Sequence, residues 1–174
     1  MKILTNIIYA AAAALLVVPA IGSTALAQRA DDPTIVGIAS DNDAFSTLVA
    51  AVVKADLVET LDGRRQFTVF APTNDAFDAA AETVLGEGST GTELVEALDV
   101  ETLTGILFYH VVPGERKSES VLSAKRIRTV NGAFLKVDGT TLVGNESSAG
   151  LVVDLVDIPA RNGVIHVIDF VLLP

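Results

Sequence analysis

Asn162-Gly-Val-Ile-His-Val-Ile-Asp-Phe-Val-Leu-Leu-Pro174 closes the chain, and its pattern constrains everything before it. With a period of two, Val164, His166, Ile168, Phe170 and Leu172 share one face, and Ile165, Val167, Asp169, Val171 and Leu173 share the other. Each face is apolar with a single polar interruption, the pattern of a strand covered on both sides. Asn162-Gly163 is a turn signal, and Pro174 has no amide N–H to extend a ladder. Such a strand needs a layer on either face, so the fold is expected to close on its own C-terminal end.

Upstream of it, Ile127–Val130, Ala133–Val137, Thr141–Val143 and Leu151–Ile158 read as strands, with Asn131-Gly132 and Asp138-Gly139 as hairpin turns. The first half is helical apart from a strand over Gln66–Ala71, which follows the Asp62-Gly63 turn. Asp32-Pro33 opens a short helix through Ile35, Ile38 and Ala39. Asp41-Asn42-Asp43 caps a second, with Phe45, Leu48, Val49, Val52, Val53 and Leu57 at helical spacing. Pro72-Thr73 starts a helix through Phe77, Ala80, Ala81, Val84 and Leu85, and Asp99 caps one holding Leu103, Ile106 and Leu107 that runs into Tyr109-His110. Pro113-Gly114 turns the chain, and Glu115–Ser123 is polar with a helical turn near Val121. Helices first and strands later, without βαβ alternation, give the α+β class.

Three blocks carry a family resemblance. Phe67-Thr-Val-Phe-Ala-Pro-Thr-Asn-Asp-Ala-Phe77 resembles the first signature block of the fasciclin domain, Asn162–Asp169 with Val171-Leu-Leu-Pro174 resembles the second, and Leu107-Phe-Tyr-His-Val-Val-Pro-Gly114 resembles its Tyr-His segment. They occur in the family's order. The resemblance implies an antiparallel β core with several α-helices packed around it, and a role in extracellular interaction with no shared chemistry. It implies surface proteins, matrix components or polysaccharides as partners, or alternatively the carriage of an apolar small molecule such as a carotenoid.

Residues 1–27 are expected to be a cleaved export signal: Lys2, an apolar run over Ile7–Ile21, then Ala25-Leu26-Ala27 ahead of Gln28. Residues 28–33 read as a lead-in and 34–174 as one fasciclin domain in an extracytoplasmic, secreted or periplasmic protein. The net charge of −10 argues against nucleic acid as a partner. With no cysteine there is no disulfide and no thiolate metal site. No second apolar run is long enough to span a bilayer.

Reactive groups are few. There are two histidines and neither a G-x-S-x-G nor an H-E-x-x-H motif, so the chain is expected not to be an enzyme and to hold no metal or cofactor. Gly86-Glu-Gly-Ser-Thr-Gly91 satisfies G-x-G-x-x-G in letters only, since it follows a helix and carries Glu87 where phosphate would sit. Asp-x-Asp at Asp41–Asp43 lacks the remaining ligands of a calcium loop and reads as a cap. His110 shares a helix face with Leu103, Ile106 and Leu107 and is expected to be a hydrogen-bonded core residue. Thr73, Asn74 and Asp75 read as capping and turn groups. The resemblance adds that the Tyr109-His110 segment is chiefly structural but linked to adhesion in animal members. It also aligns Asp157-Ile158 with a pair that animal domains use in integrin contact. Arg116, Lys117, Lys125, Arg126 and Arg128 form a basic stretch in which Arg126 and Arg128 share one strand face, a local site for anionic glycans. Asn145-Glu-Ser147 matches a glycosylation acceptor.

Overall fold

The computed structural model describes residues 32–174; the expected signal peptide and its cleavage site lie outside the described residues. The chain starts with α1 (Ile35–Ser40), a 3₁₀ turn (Asp43–Phe45), α2 (Ser46–Lys54) and α3 (Val58–Leu61). The cap of α1 is Thr34, whose hydroxyl accepts from the Gly37 amide, rather than Asp32. Asn42 caps the 3₁₀ turn, so α2 starts three residues later than the Asp-Asn-Asp cluster suggests. Val53, expected on the buried stripe, is 60% exposed.

Strand β1 (Phe67–Pro72) is followed by α4 (Asn74–Leu85), α5 (Gly91–Ala97) and α6 (Val100–Tyr109). Thr73 and Asp99 cap α4 and α6, as their sequence positions indicate. The glycine-rich segment between α4 and α5 is a connection whose last glycine serves packing. A Cβ on Gly91 would stand 2.4 Å from that of Phe77, and the Gly91 amide donates to Asp78 Oδ1 at 2.6 Å. Val84 and Leu85 lie exposed at the end of α4, outside the stripe assigned to them. Then come β2 (Val111–Pro113), α7 (Ser118–Ser123), β3 (Arg126–Arg128), β4 (Phe134–Asp138), β5 (Thr141–Val143) and β6 (Ser148–Gly150). The stretch Leu151–Ile158 is not one strand. Leu151 makes an isolated bridge to Ile168, Val153–Leu155 is a 3₁₀ turn, and β7 is only Ile158–Ala160. Last is β8, Gly163–Ile168.

Two four-stranded sheets result, ordered β2-β1-β8-β7 and β3-β4-β5-β6. The second is antiparallel throughout. The first departs from the antiparallel expectation at its centre, where β1 and β8 pair in parallel from Phe67↔Gly163 to Pro72↔Ile168. A parallel pair needs a long crossover, and here all the chain between the two strands supplies it. Every residue of β1 and β8 is buried. Their alternation sorts side chains into two cores: Phe67, Val69, Ala71, Ile165 and Val167 pack under α1–α6, while Phe70 and Ile168 pack against the second sheet through Ile127, Leu135 and Leu142. Each fully buried Val, Ile, Leu or Phe among them is worth about 1.5–3 kcal/mol.

The ladder of β8 ends at Ile168, five residues before the alternation does at Leu173, and Asp169 is exposed at a bend. Burial nevertheless keeps alternating, with Val171 in the first core and Leu172 in the second.

Candidate functional site

His110 caps the C-terminus of α6 and is only 3% exposed. Its Nδ1–H donates to the Ile106 carbonyl at 2.8 Å, and its Nε2 accepts from the Leu172 amide at 2.9 Å. Both nitrogens are thus used by the neutral ring, and burial holds its pKa down at about 4. Tyr109 is wholly buried in the second core, where burial raises its pKa; its hydroxyl lies against the Asn145 backbone without completing a hydrogen bond. The Tyr109-His110 pair is therefore interior, and a surface contact through these side chains is not available in this fold.

Asp157, with φ of 59°, precedes β7. Its Oδ1 accepts from the Ser118 amide at 2.7 Å and its Oδ2 from the Ser118 hydroxyl, so it caps α7 from a distance where Lys117 offers no capping side chain. Burial pushes the carboxyl up, but the two Ser118 bonds, His166 and Lys117 together pull it below its usual value. The Asp157 amide donates to His166 Nδ1 at 3.1 Å, and His166 Nε2–H donates to the Arg116 carbonyl at 2.8 Å. Burial lowers the pKa of His166, which stacks on Phe70 with centroids 5.8 Å apart. Ser118, Asp157 and His166 are a catalytic set in residue type only: the hydroxyl donates to the carboxylate, and the imidazole has no nitrogen left to take its proton. Ile158 is half-buried, pairs with Ile165 and packs on the first core.

The basic stretch divides. Arg116 and Lys117 sit ahead of α7, beside Asp157. Arg126 and Arg128 are exposed on the outer face of β3, flanking buried Ile127. Across the ladder Arg126 faces Lys136 and Arg128 faces Phe134. The Arg126 guanidinium lies 5.2 Å from the centre of the Phe134 ring, which is 48% exposed. Asp138 is the one carboxylate on that face of β4, at its far end. Sequence reasoning missed Lys136 and Phe134, although the alternation of Phe134, Leu135 and Lys136 places both outward.

An open cleft of about 930 Å³ lies beside this face, reached by Arg65, Phe67, Phe108, Val111, Arg128 and Val130. The helical face between Phe45 and Leu57 leaves a void of about 30 Å³ against α1, Val69 and His110. No group of three or more His, Cys, Asp or Glu side chains converges on a metal-sized site among the described residues. Asn145 is exposed, while Ser147 of the same acceptor pattern accepts from the Leu173 amide at 2.6 Å and donates to the Val171 carbonyl. No helix among the described residues is long and apolar enough to cross a membrane.

The family model for the fasciclin domain matches residues 43–174. Protein sll1483 of Synechocystis sp. is 43% identical over 156 residues, covering 87% of this chain and 81% of that protein. Immunogenic protein MPB70 of Mycobacterium bovis is 34% identical over 160 residues, covering 88% and 75%. Among solved structures, a FAS1 domain pair from the insect cell adhesion molecule Fasciclin I superposes with a TM-score of 0.65 over 82% of this chain and 51% of that one. At 17% identity that likeness is one of fold.

Proposed function

The chain belongs to the fasciclin domain family, and from that premise we propose that it is a non-enzymatic, extracytoplasmic adhesion module whose contact surface is the outer face of the β3–β4 hairpin. The partner is an anionic polysaccharide of a cell surface or matrix. The observation that carries this reading is the grouping of Arg126, Arg128 and Lys136 around an exposed Phe134. Cations spaced along a strand match the repeating charges of a polyanion, and an aromatic face among them gives sugar rings a surface to lie on. The insect molecule with the similar fold is itself a cell adhesion molecule. The commitment of both histidines to backbone partners favours a binding role over a catalytic one. Asp157-Ile158, the other candidate contact, is committed to capping α7 and to the core, which favours the hairpin over it.

Retention on an immobilised sulfated polysaccharide, against the neutral polymer of the same backbone, tests the reading. The chain should be held by the first and eluted by salt; equal passage through both columns would remove it.

A further inference from the structure

We infer that the cleft beside β3 is a binding site for a free amphipathic organic anion, an apolar chain or ring system carrying one carboxylate. Its volume of about 930 Å³ is within the range of small-ligand sites, about 300–1,000 Å³. Its apolar walls come from Phe67 of β1, Phe108 of α6, Val111 of β2 and Val130 after β3, so four segments converge on it. The charge of the lining decides the ligand class. Across the chain 22 acidic residues face 12 Lys and Arg, yet among the described residues the cleft is lined by Arg65 and Arg128 and by no carboxylate. A neutral apolar ligand would strip water from those guanidiniums without replacing it, whereas a carboxylate bonds the guanidinium fork directly. Arg65 and Arg128 come from different segments, the loop before β1 and the end of β3, and both are exposed, so neither is needed to hold the fold.

This site shares Arg128 with the polysaccharide surface and is otherwise separate from it: Arg65 lies off the hairpin, and Arg126 and Lys136 do not line the cleft, so Arg65→Ala tests the cleft alone. Calorimetric titration of the purified protein with monomeric dodecanoate, dodecanol and dodecyltrimethylammonium tests it, with amide chemical shifts reporting the location. Dodecanoate should bind saturably at one per chain, shift Phe108 and Val130, and bind more tightly than either of the others. Arg65→Ala and Arg128→Ala should each weaken dodecanoate about tenfold, the loss of one charge-assisted contact, and leave dodecanol within about twofold. Arg64→Ala, next in sequence but outside the cleft lining, should change nothing. Absence of saturable dodecanoate binding at about 1 mM, equal binding of the cationic amphiphile, shifts confined to other surfaces, or indifference to both arginine substitutions would each overturn the assignment.

Discussion

His110 and Leu172 are tied by a hydrogen bond that spans the molecule from the end of α6 to the C-terminal tail. The tail has left the β8 ladder by then, so side chains take over the satisfying of its amides: His110 for Leu172, and Ser147 for Leu173. Removing the imidazole strands the Leu172 N–H inside the second core, and a buried unpaired group costs about 1–3 kcal/mol. His110→Ala should therefore lower the unfolding free energy read from urea melts by that amount, plus the cost of the cavity it leaves. Asp169 differs. It is exposed and its Oδ1 accepts only from Gly150 N, so Asp169→Ala should cost about 1 kcal/mol, one net hydrogen bond. Equal losses for the two variants would show that His110 is not a buried anchor. The sequence marks both residues as lone polar groups in apolar patterns but not which is inside, because that depends on where β8 stops. His110's helix-face placement was readable; its partner sixty-odd residues away was not.

At the scale of elements, β1 and β8 pair from their first residues, Phe67 against Gly163. The Asn162 side chain accepts from the Ile35 amide at 2.9 Å and donates to the Leu61 carbonyl at 2.6 Å, joining α1 and α3 to the entrance of β8. Beside it a Cβ on Gly163 would fall 1.9 Å from the Phe67 carbonyl oxygen. Backbone cannot give way there without separating the central parallel pair, so Gly163→Ala should cost more than about 3 kcal/mol or prevent folding. A soluble variant with a parental melting curve would mean that β1 and β8 are not in this register. The Asn-Gly dipeptide is legible as a turn, but its role as a joint is not: the turn rule concerns neighbours in sequence, and these partners are distant. The parallel pairing was hidden for the same reason. Two strands buried on both faces look alike in either direction, and only the layers around them fix the choice. Leu151–Ile158 was misread because its apolar residues suggested a strand, while the positive φ of Asp157 and the 3₁₀ turn at Val153–Leu155 break it.

At the scale of the whole molecule, both histidines are folded in their neutral form. The pKa of His110 falls from 6.5 to about 4, and that of His166 moves in the same direction. The sign follows: a histidine with a depressed folded pKa adds stability that is fully present above its unfolded value and is lost as pH falls toward its folded one. For His110 the loss reaches about 3 kcal/mol across that window. Asp157 and Asp99, both lowered, add stability that disappears only below the usual carboxylate range. Urea midpoints should therefore drop from pH 7 to pH 5, before the carboxylates protonate, and drop less in His110→Gln. A flat profile over that interval would contradict the buried, neutral assignment.

The net charge of −10 also bears on how the proposed surface works. A polyanion is repelled by the molecule as a whole and attracted by the hairpin face. The two differ in range: at physiological ionic strength charges are screened beyond about 8 Å, and at about 0.01 M salt beyond about 30 Å. Intermediate salt should thus favour binding, because the distant acidic residues are screened while the contact is not. The most direct measurement is the affinity of parent and Arg126→Glu/Arg128→Glu protein for a sulfated polysaccharide across a salt series. The proposal requires a parental optimum at intermediate salt and loss of binding by at least about tenfold in the reversed variant, with the fold intact. Equal affinities for the two proteins at every salt concentration would contradict it.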